Sequence, residues 1–204
     1  MRIGDARLYL VIDARPDIAE AALRGGVDVV QLRDNSATDD ELLEAGRELR
    51  RLCTAYDALF IVNDFPELAV RVNADGVHVG QDDVSVGEAR RLVGENRLVG
   101  LSTHCASDIA AAAGVDYLGV GPIYATPTKP GRPAVGLGLV AEATRSAQVP
   151  WFAIGGIDAH TITAVIAAGA LRVAVVRAIR DVRDPLGATR DLAEKLRQSP
   201  AAIT

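Results

Sequence analysis

Short runs of β-branched and other apolar residues recur along the chain, separated by stretches in which apolar positions fall three or four apart. The runs cover residues 8–12, 27–32, 59–62, 76–79, 98–101, 117–120, 151–154 and 173–176, and each predicts a strand. Between them, residues 39–55, 86–93, 107–113 and 161–168 carry the spacing of amphipathic helices. Near-continuous apolar strands alternating with helices predict a parallel sheet covered by its crossovers. Eight such units in so short a chain fit an α/β fold, a single (β/α)8 TIM barrel over residues 1–204, with an open doubly wound sheet as the rival arrangement.

Three segments, 22–30, 112–118 and 167–173, resemble one another: each closes a helix at glycine (Gly26, Gly114, Gly169) and enters a strand. They mark the helix-to-strand joint of a repeated unit. No linker or low-complexity tract divides the chain. Residues 122–137, rich in Pro, Gly and Thr and without periodicity, predict a functional loop after the sixth strand.

With 204 residues, 49% hydrophobic and 24% charged, the chain has the material for a large core. A net charge of −5 supplies no global attraction for nucleic acid or an anionic membrane, so anion recognition has to be local. No apolar run reaches the roughly 18 residues of a membrane span and the first dozen residues do not form a signal peptide, so a cytoplasmic location is expected. Cys53 and Cys105 are far apart, which predicts two packing residues and neither a disulfide framework nor a zinc site.

In a βα barrel, chemistry gathers where strands end. Strand two ends in Gln31-Leu32-Arg33-Asp34-Asn35, strand three in Asn63-Asp64, strand four in His78 to Asp83, and strand five in Ser102. Strand six leads to Thr126-Pro127-Thr128-Lys129, strand seven to Gly155-Gly156, and strand eight to Val176-Arg177. Asp64 and Asp83 follow two adjacent strands, and carboxylates brought together this way repel unless a proton or cation lies between them; oxygen-only ligands favour Mg2+. The plainer reading of Asp64 is a helix cap. Arg33 and Lys129 supply the positive charge that a pyrophosphate requires, one as a planar fork and the other as a point charge. Ser102, Thr126 and Thr128 offer hydroxyl donors. His78 either lines a pocket or is a hydrogen-bonded core residue.

These strings resemble the thiamine phosphate synthase family over nearly the whole chain: QLRDN at 31–35, VND at 62–64, DGVHVGQDD at 75–83, GLS at 100–102, GPIYATPTK at 121–129 and AIGGI at 153–157. The resemblance implies a transferase of thiamine biosynthesis that moves a hydroxymethylpyrimidine group from its pyrophosphate onto a thiazole phosphate. Gln31, Leu32, Arg33, Asp34 and Asn35 would meet the pyrimidine pyrophosphate, with Asn63, Ser102 and Lys129 and with His78 nearby. Arg33, Asn63, Ser102 and Lys129 would carry the catalysis. Asp64 and Asp83 would bind Mg2+, while Thr126, Pro127, Thr128, Gly156, Val176 and Arg177 would receive the thiazole phosphate. The implied partners are small phosphorylated substrates, with no nucleic acid or membrane; a homo-oligomer is allowed, and no motif specifies one.

Two positions depart from the family pattern. Asn35 stands where lysine is usual, which predicts weaker binding of the pyrimidine pyrophosphate. Arg177 replaces a small residue and Ala174 a frequent serine, which predicts a guanidinium on the thiazole phosphate. A thiazole tautomerase, a non-catalytic ligand sensor and a sugar-phosphate isomerase are the alternatives. Asp64, Asp83 and Lys129 argue against the first, because isomerisation needs neither metal nor a pyrophosphate clamp.

Overall fold

The structure, a computed structural model, describes residues 2–126 and 133–198. Eight parallel strands close a barrel in chain order: β1 (Leu8–Ile12), β2 (Val29–Leu32), β3 (Leu59–Asn63), β4 (Gly76–Val79), β5 (Leu98–Thr103), β6 (Tyr117–Val120), β7 (Trp151–Ile154) and β8 (Val173–Val175). Closure is made by β8 lying beside β1, with Tyr9 opposite Ala174, so the open-sheet rival is excluded. Outside run α1 (Pro16–Gly25), α2 (Asp39–Ala55), α3 (Pro66–Arg71), α4 (Val86–Val93), α5 (Ala106–Ala111), α6 (Gly136–Ser146), α7 (Ile162–Ala167), α8 (Arg177–Arg180) and α9 (Pro185–Arg197).

Local chemistry sets several boundaries. Thr38 caps α2 by accepting from the Glu41 amide, while the Glu41 carboxylate accepts from the Thr38 amide 2.8 Å away. Gly26 turns α1 into β2 at φ 104°, a conformation that costs glycine little. That left-handed residue delays the second strand, which begins at Val29 rather than at the expected Val27. β5 runs two residues further than its apolar run, because Ser102 and Thr103 continue the ladder opposite Gly119 and Val120. Gly136 and Leu137, expected in the loop after the sixth strand, already belong to α6.

Strand alternation divides the apolar residues into two layers. Leu8, Leu10, Ile12, Val30 and Leu32 point outward and pack with the helices, while Tyr9, Val11 and Val29 point inward with Ile61, Tyr117 and Phe152. At the strand starts a carboxylate repeats every second strand. Asp28 accepts from the Leu8 amide at 2.9 Å, Asp75 from Phe60 at 2.7 Å, and Asp116 from Val99 at 2.7 Å. Each holds an odd-numbered strand to the even-numbered one that follows. Before β8 that position is Arg172, whose guanidinium donates to the Gly4 carbonyl at 2.5 Å.

Candidate active site

The barrel axis is plugged by three rings. Phe152 meets Tyr9 and Tyr117 edge-on, with centroids 5.1 and 5.9 Å away, and all three residues are at most 2% exposed. Polar atoms on these rings extend across the floor. Gln31 Nε2 donates to Tyr9 Oη at 2.8 Å, Tyr9 Oη lies 3.0 Å from Tyr117 Oη, and Tyr117 Oη lies 3.1 Å from His78 Nδ1. His78 Nε2 is 3.0 Å from Ser102 Oγ. Glycine makes the room: a Cβ at Gly100 would fall on the Tyr117 ring and 2.5 Å from His78 Nδ1. Both readings of His78 hold at once, since it is a hydrogen-bonded core residue and its ring faces the cavity.

Above this floor, at the C-terminal ends of the strands, lies a cavity of about 540 Å³, within the ordinary size of a small-molecule site. It brings together Gln31, Arg33, His78, Ser102, Thr126, Gly156, Val176 and Arg177 from six strand ends. Arg33 lines this cavity and also a small recess with Asn35 and Asn63. Pro127, Thr128 and Lys129 lie outside the described residues.

Other members of the second-strand string have structural occupations. The Leu32 side chain is in the outer layer, one residue out of phase with Gln31 and Arg33. Asp34 fastens the loop after β2: its carboxylate accepts from Ser36 Oγ at 2.6 Å, from the Ser36 and Ala37 amides, and from the Ala14 amide at the end of β1. The Ser36 hydroxyl foremost, opposed by burial and aided by those amides, holds the Asp34 carboxyl below the usual range. Asn35 is exposed.

Asp64 does not cap α3, whose N-cap is Phe65 without a side-chain bond. Its backbone is left-handed at φ 61°, and its amide donates to the His78 carbonyl at 2.8 Å, tying the end of β3 to the end of β4. Asn63 donates its amide to one Asp64 oxygen at 2.5 Å, and Asp83 receives the Gly80 amide at 2.8 Å. Asp64 follows β3 and Asp83 lies four residues beyond β4, and neither lines the cavity; each has one oxygen oriented by a donor, and such carboxylates are the ligand type that a hard cation with waters and phosphate oxygens takes. Among the described residues no group of three or more His, Cys, Asp or Glu side chains is arranged to hold a metal by itself.

Gly155 and Gly156 have φ of 101° and 65°, and a side chain on either would strike Pro122 or Tyr124. Their conformation lets the loop after β6 fold onto β7, with the Tyr124 amide donating to the Gly155 carbonyl at 2.9 Å. Tyr9, Tyr117 and His104 also line the cavity, although no motif singles them out. The tyrosines sit within apolar runs and read as core; their signal is a hydroxyl at an inward position of β1 and β6. His104 Nδ1 donates to the Gly121 carbonyl at 2.5 Å. Cys53 is buried as expected, and burial pushes its thiol up to about 12, whereas Cys105 is exposed at the start of α5 rather than packed. The apolar face of α5 is supplied by Ile109, so its first turn stays in solvent. No helix of the described residues is long and apolar enough to cross a membrane.

Fold and site together define a small (β/α)8 barrel with a cavity at its C-terminal rim whose largely apolar wall carries a few polar side chains. Residues 8–179 match the family model described as thiamine monophosphate synthase. The chain is 50% identical over 196 residues to a thiamine-phosphate synthase of Nostoc punctiforme, covering 94% of this chain and 56% of that protein. It therefore spans a little over half the length of that relative. A thiamine-phosphate synthase of Thermobifida fusca is 47% identical over 98% of this chain and 97% of its own length. The solved thiamine phosphate pyrophosphorylase of Pyrococcus furiosus superposes with a TM-score of 0.90 at 30% identity, over 98% of this chain and 99% of that one. The chain belongs to the thiamine monophosphate synthase family.

Proposed function

We propose that this protein condenses a hydroxymethylpyrimidine pyrophosphate with a thiazole phosphate, giving thiamine phosphate and pyrophosphate. The observation that carries this reading is the convergence of Gln31, Arg33, Ser102, Thr126, Gly156 and Arg177 on one cavity, with Asp64 tied by its amide to the carbonyl of the cavity-lining His78. As the carbon–oxygen bond breaks, negative charge grows on the leaving pyrophosphate and positive charge on the methylene, which the electron-rich aminopyrimidine stabilises. Donors aimed at the pyrophosphate bind that state more tightly than the ground state, which lowers the barrier. Arg33, Ser102 and Lys129 fill this role, Asn63 orients Asp64, and Gln31 meets the pyrimidine at the floor. Asp64 and Asp83 would hold Mg2+, which supplies further charge neutralisation at the leaving group. Thr126, Thr128, Gly156 and Arg177 hold the thiazole phosphate, so the thiazole nitrogen faces the methylene without need of a general base.

The acidic pair favours coupling over isomerisation of the thiazole, which requires no cation. The test is incubation of the protein with both substrates and Mg2+, with and without EDTA, followed by measurement of thiamine phosphate and pyrophosphate. The expected result is stoichiometric formation of both, abolished by EDTA; thiazole phosphate bound or isomerised without pyrophosphate release would overturn the reading.

A further inference from the structure

The floor network that joins Gln31 to Ser102 has a direction. Gln31 presents an N–H to Tyr9 Oη, so the Tyr9 proton cannot point back at that amide and goes to Tyr117 Oη, 3.0 Å away. Tyr117 then spends its own proton on the remaining neighbour, His78 Nδ1, at 3.1 Å. A ring that accepts at Nδ1 carries its hydrogen at Nε2 and donates it to Ser102 Oγ at 3.0 Å. The Ser102 oxygen is thereby committed as an acceptor toward the floor, and its hydrogen is released toward the cavity that it lines. With the opposite direction Ser102 would give its hydrogen to His78, Tyr9 would aim its own at an N–H of Gln31, and the cavity would meet lone pairs instead of a donor.

We propose that Tyr9, Tyr117 and His78 are positioning residues that fix the His78 tautomer and so keep the Ser102 hydroxyl a donor to an anionic oxygen of the substrate. This rests on the synthase reading for the identity of that oxygen, the leaving pyrophosphate. Two further features support it. Both tyrosines are buried, and burial raises their ionisation well above the ordinary phenol range, so each keeps the proton it must pass along. The floor is also shaped for these rings, since a side chain at Gly100 would collide with both Tyr117 and His78.

The test combines a tautomer measurement with kinetics. Nitrogen-15 NMR of histidine-labelled protein without ligand should show a pyrrole-type Nε2 and a pyridine-type Nδ1 for His78, assigned by substituting each of the three histidines in turn. Tyr117→Phe, which keeps the ring, should populate the Nδ1–H tautomer and lower kcat about tenfold or more while leaving the KM for thiazole phosphate unchanged, the loss being a hydrogen bond to a charged group. In a Ser102→Ala background the same substitution should cost nothing further. Should Tyr117→Phe not fold, Tyr9→Phe serves, because it frees the Tyr117 proton from its imposed direction and populates Nδ1–H in turn. An Nδ1–H ring in the unsubstituted protein, unchanged tautomers in the folded variants, or losses that multiply with Ser102→Ala would each overturn the relay. A protein that forms no thiamine phosphate would instead overturn the synthase reading, and the ring nitrogens would still decide the relay.

Discussion

Arg50 on α2 donates to the Asp75 carboxylate at 2.6 Å, and the same carboxylate oxygen receives the Phe60 amide of β3. Arg90 and Asp116 repeat the arrangement two strands later, at 2.5 Å, with the amide of Val99. A helix, a strand and the start of the next strand thus meet on one acidic side chain.

Asp75→Ala or Asp116→Ala should therefore destabilise the fold by about 1–3 kcal/mol each, the range for leaving a buried amide without its acceptor. Urea unfolding monitored by circular dichroism measures this. Turnover by the folded fraction should be preserved, because these carboxylates are at the end of the barrel opposite the cavity.

Thiol chemistry should separate the two cysteines. Cys53 is buried and its thiol is held protonated near neutral pH, while Cys105 is exposed. Iodoacetamide followed by peptide mass spectrometry should modify Cys105 alone in the native protein and both after unfolding; early modification of Cys53 would contradict its burial on α2.

Asp34 predicts an acid-sensitive loop. Its carboxyl is depressed when folded, so the stability it contributes is complete above the unfolded value near pH 4 and is lost as pH falls through the lower folded value. Asp34→Asn should flatten the decline in urea midpoint between about pH 5 and pH 2 relative to the unsubstituted protein.

Much of the architecture is legible in the chain. The eight strands stand out because each is a short apolar run between helical periodicities, and Leu8–Ile12, Gly76–Val79, Tyr117–Val120 and Trp151–Ile154 end where the pattern says. What is hidden has a physical cause. The bracing role of Asp28, Asp75 and Asp116 is not readable from the chain, because the amides that donate to them belong to other strands. Tyr9 and Tyr117 look like core, because a phenol in an apolar run reveals its hydroxyl's partners only once the barrel closes. The string around Gln31 mixes residues facing the cavity with Leu32, which faces the helices, and Asp34, which ties down its own loop.

Asn35→Lys should strengthen the pyrimidine pyrophosphate site under the proposed function. Asn35 is exposed beside Arg33 and Asn63, where an added ammonium stands close to a bound anion. The KM for that substrate should fall several-fold, by about 1 kcal/mol of charge-assisted bonding. An unchanged KM would show that position 35 does not reach the pyrophosphate.

Arg177→Ala should weaken thiazole phosphate binding by about tenfold or more, the scale of a hydrogen bond to a charged group, with the KM of the pyrimidine substrate little altered. Arg177 opens α8 and lines the cavity immediately after β8, so its guanidinium is well placed for a phosphate there. Equilibrium binding of thiazole phosphate by calorimetry measures the change, and equal affinity in the two proteins would assign the anion to other groups.

The plug of Tyr9, Tyr117 and Phe152 also settles the traffic through the molecule. Among the described residues the three rings close the axis beneath the cavity, so the chamber is a well with a floor and not a through-channel. A ligand seated on the Gln31 end of the floor therefore enters and leaves on the side of the strand C-termini rather than through the base of the barrel.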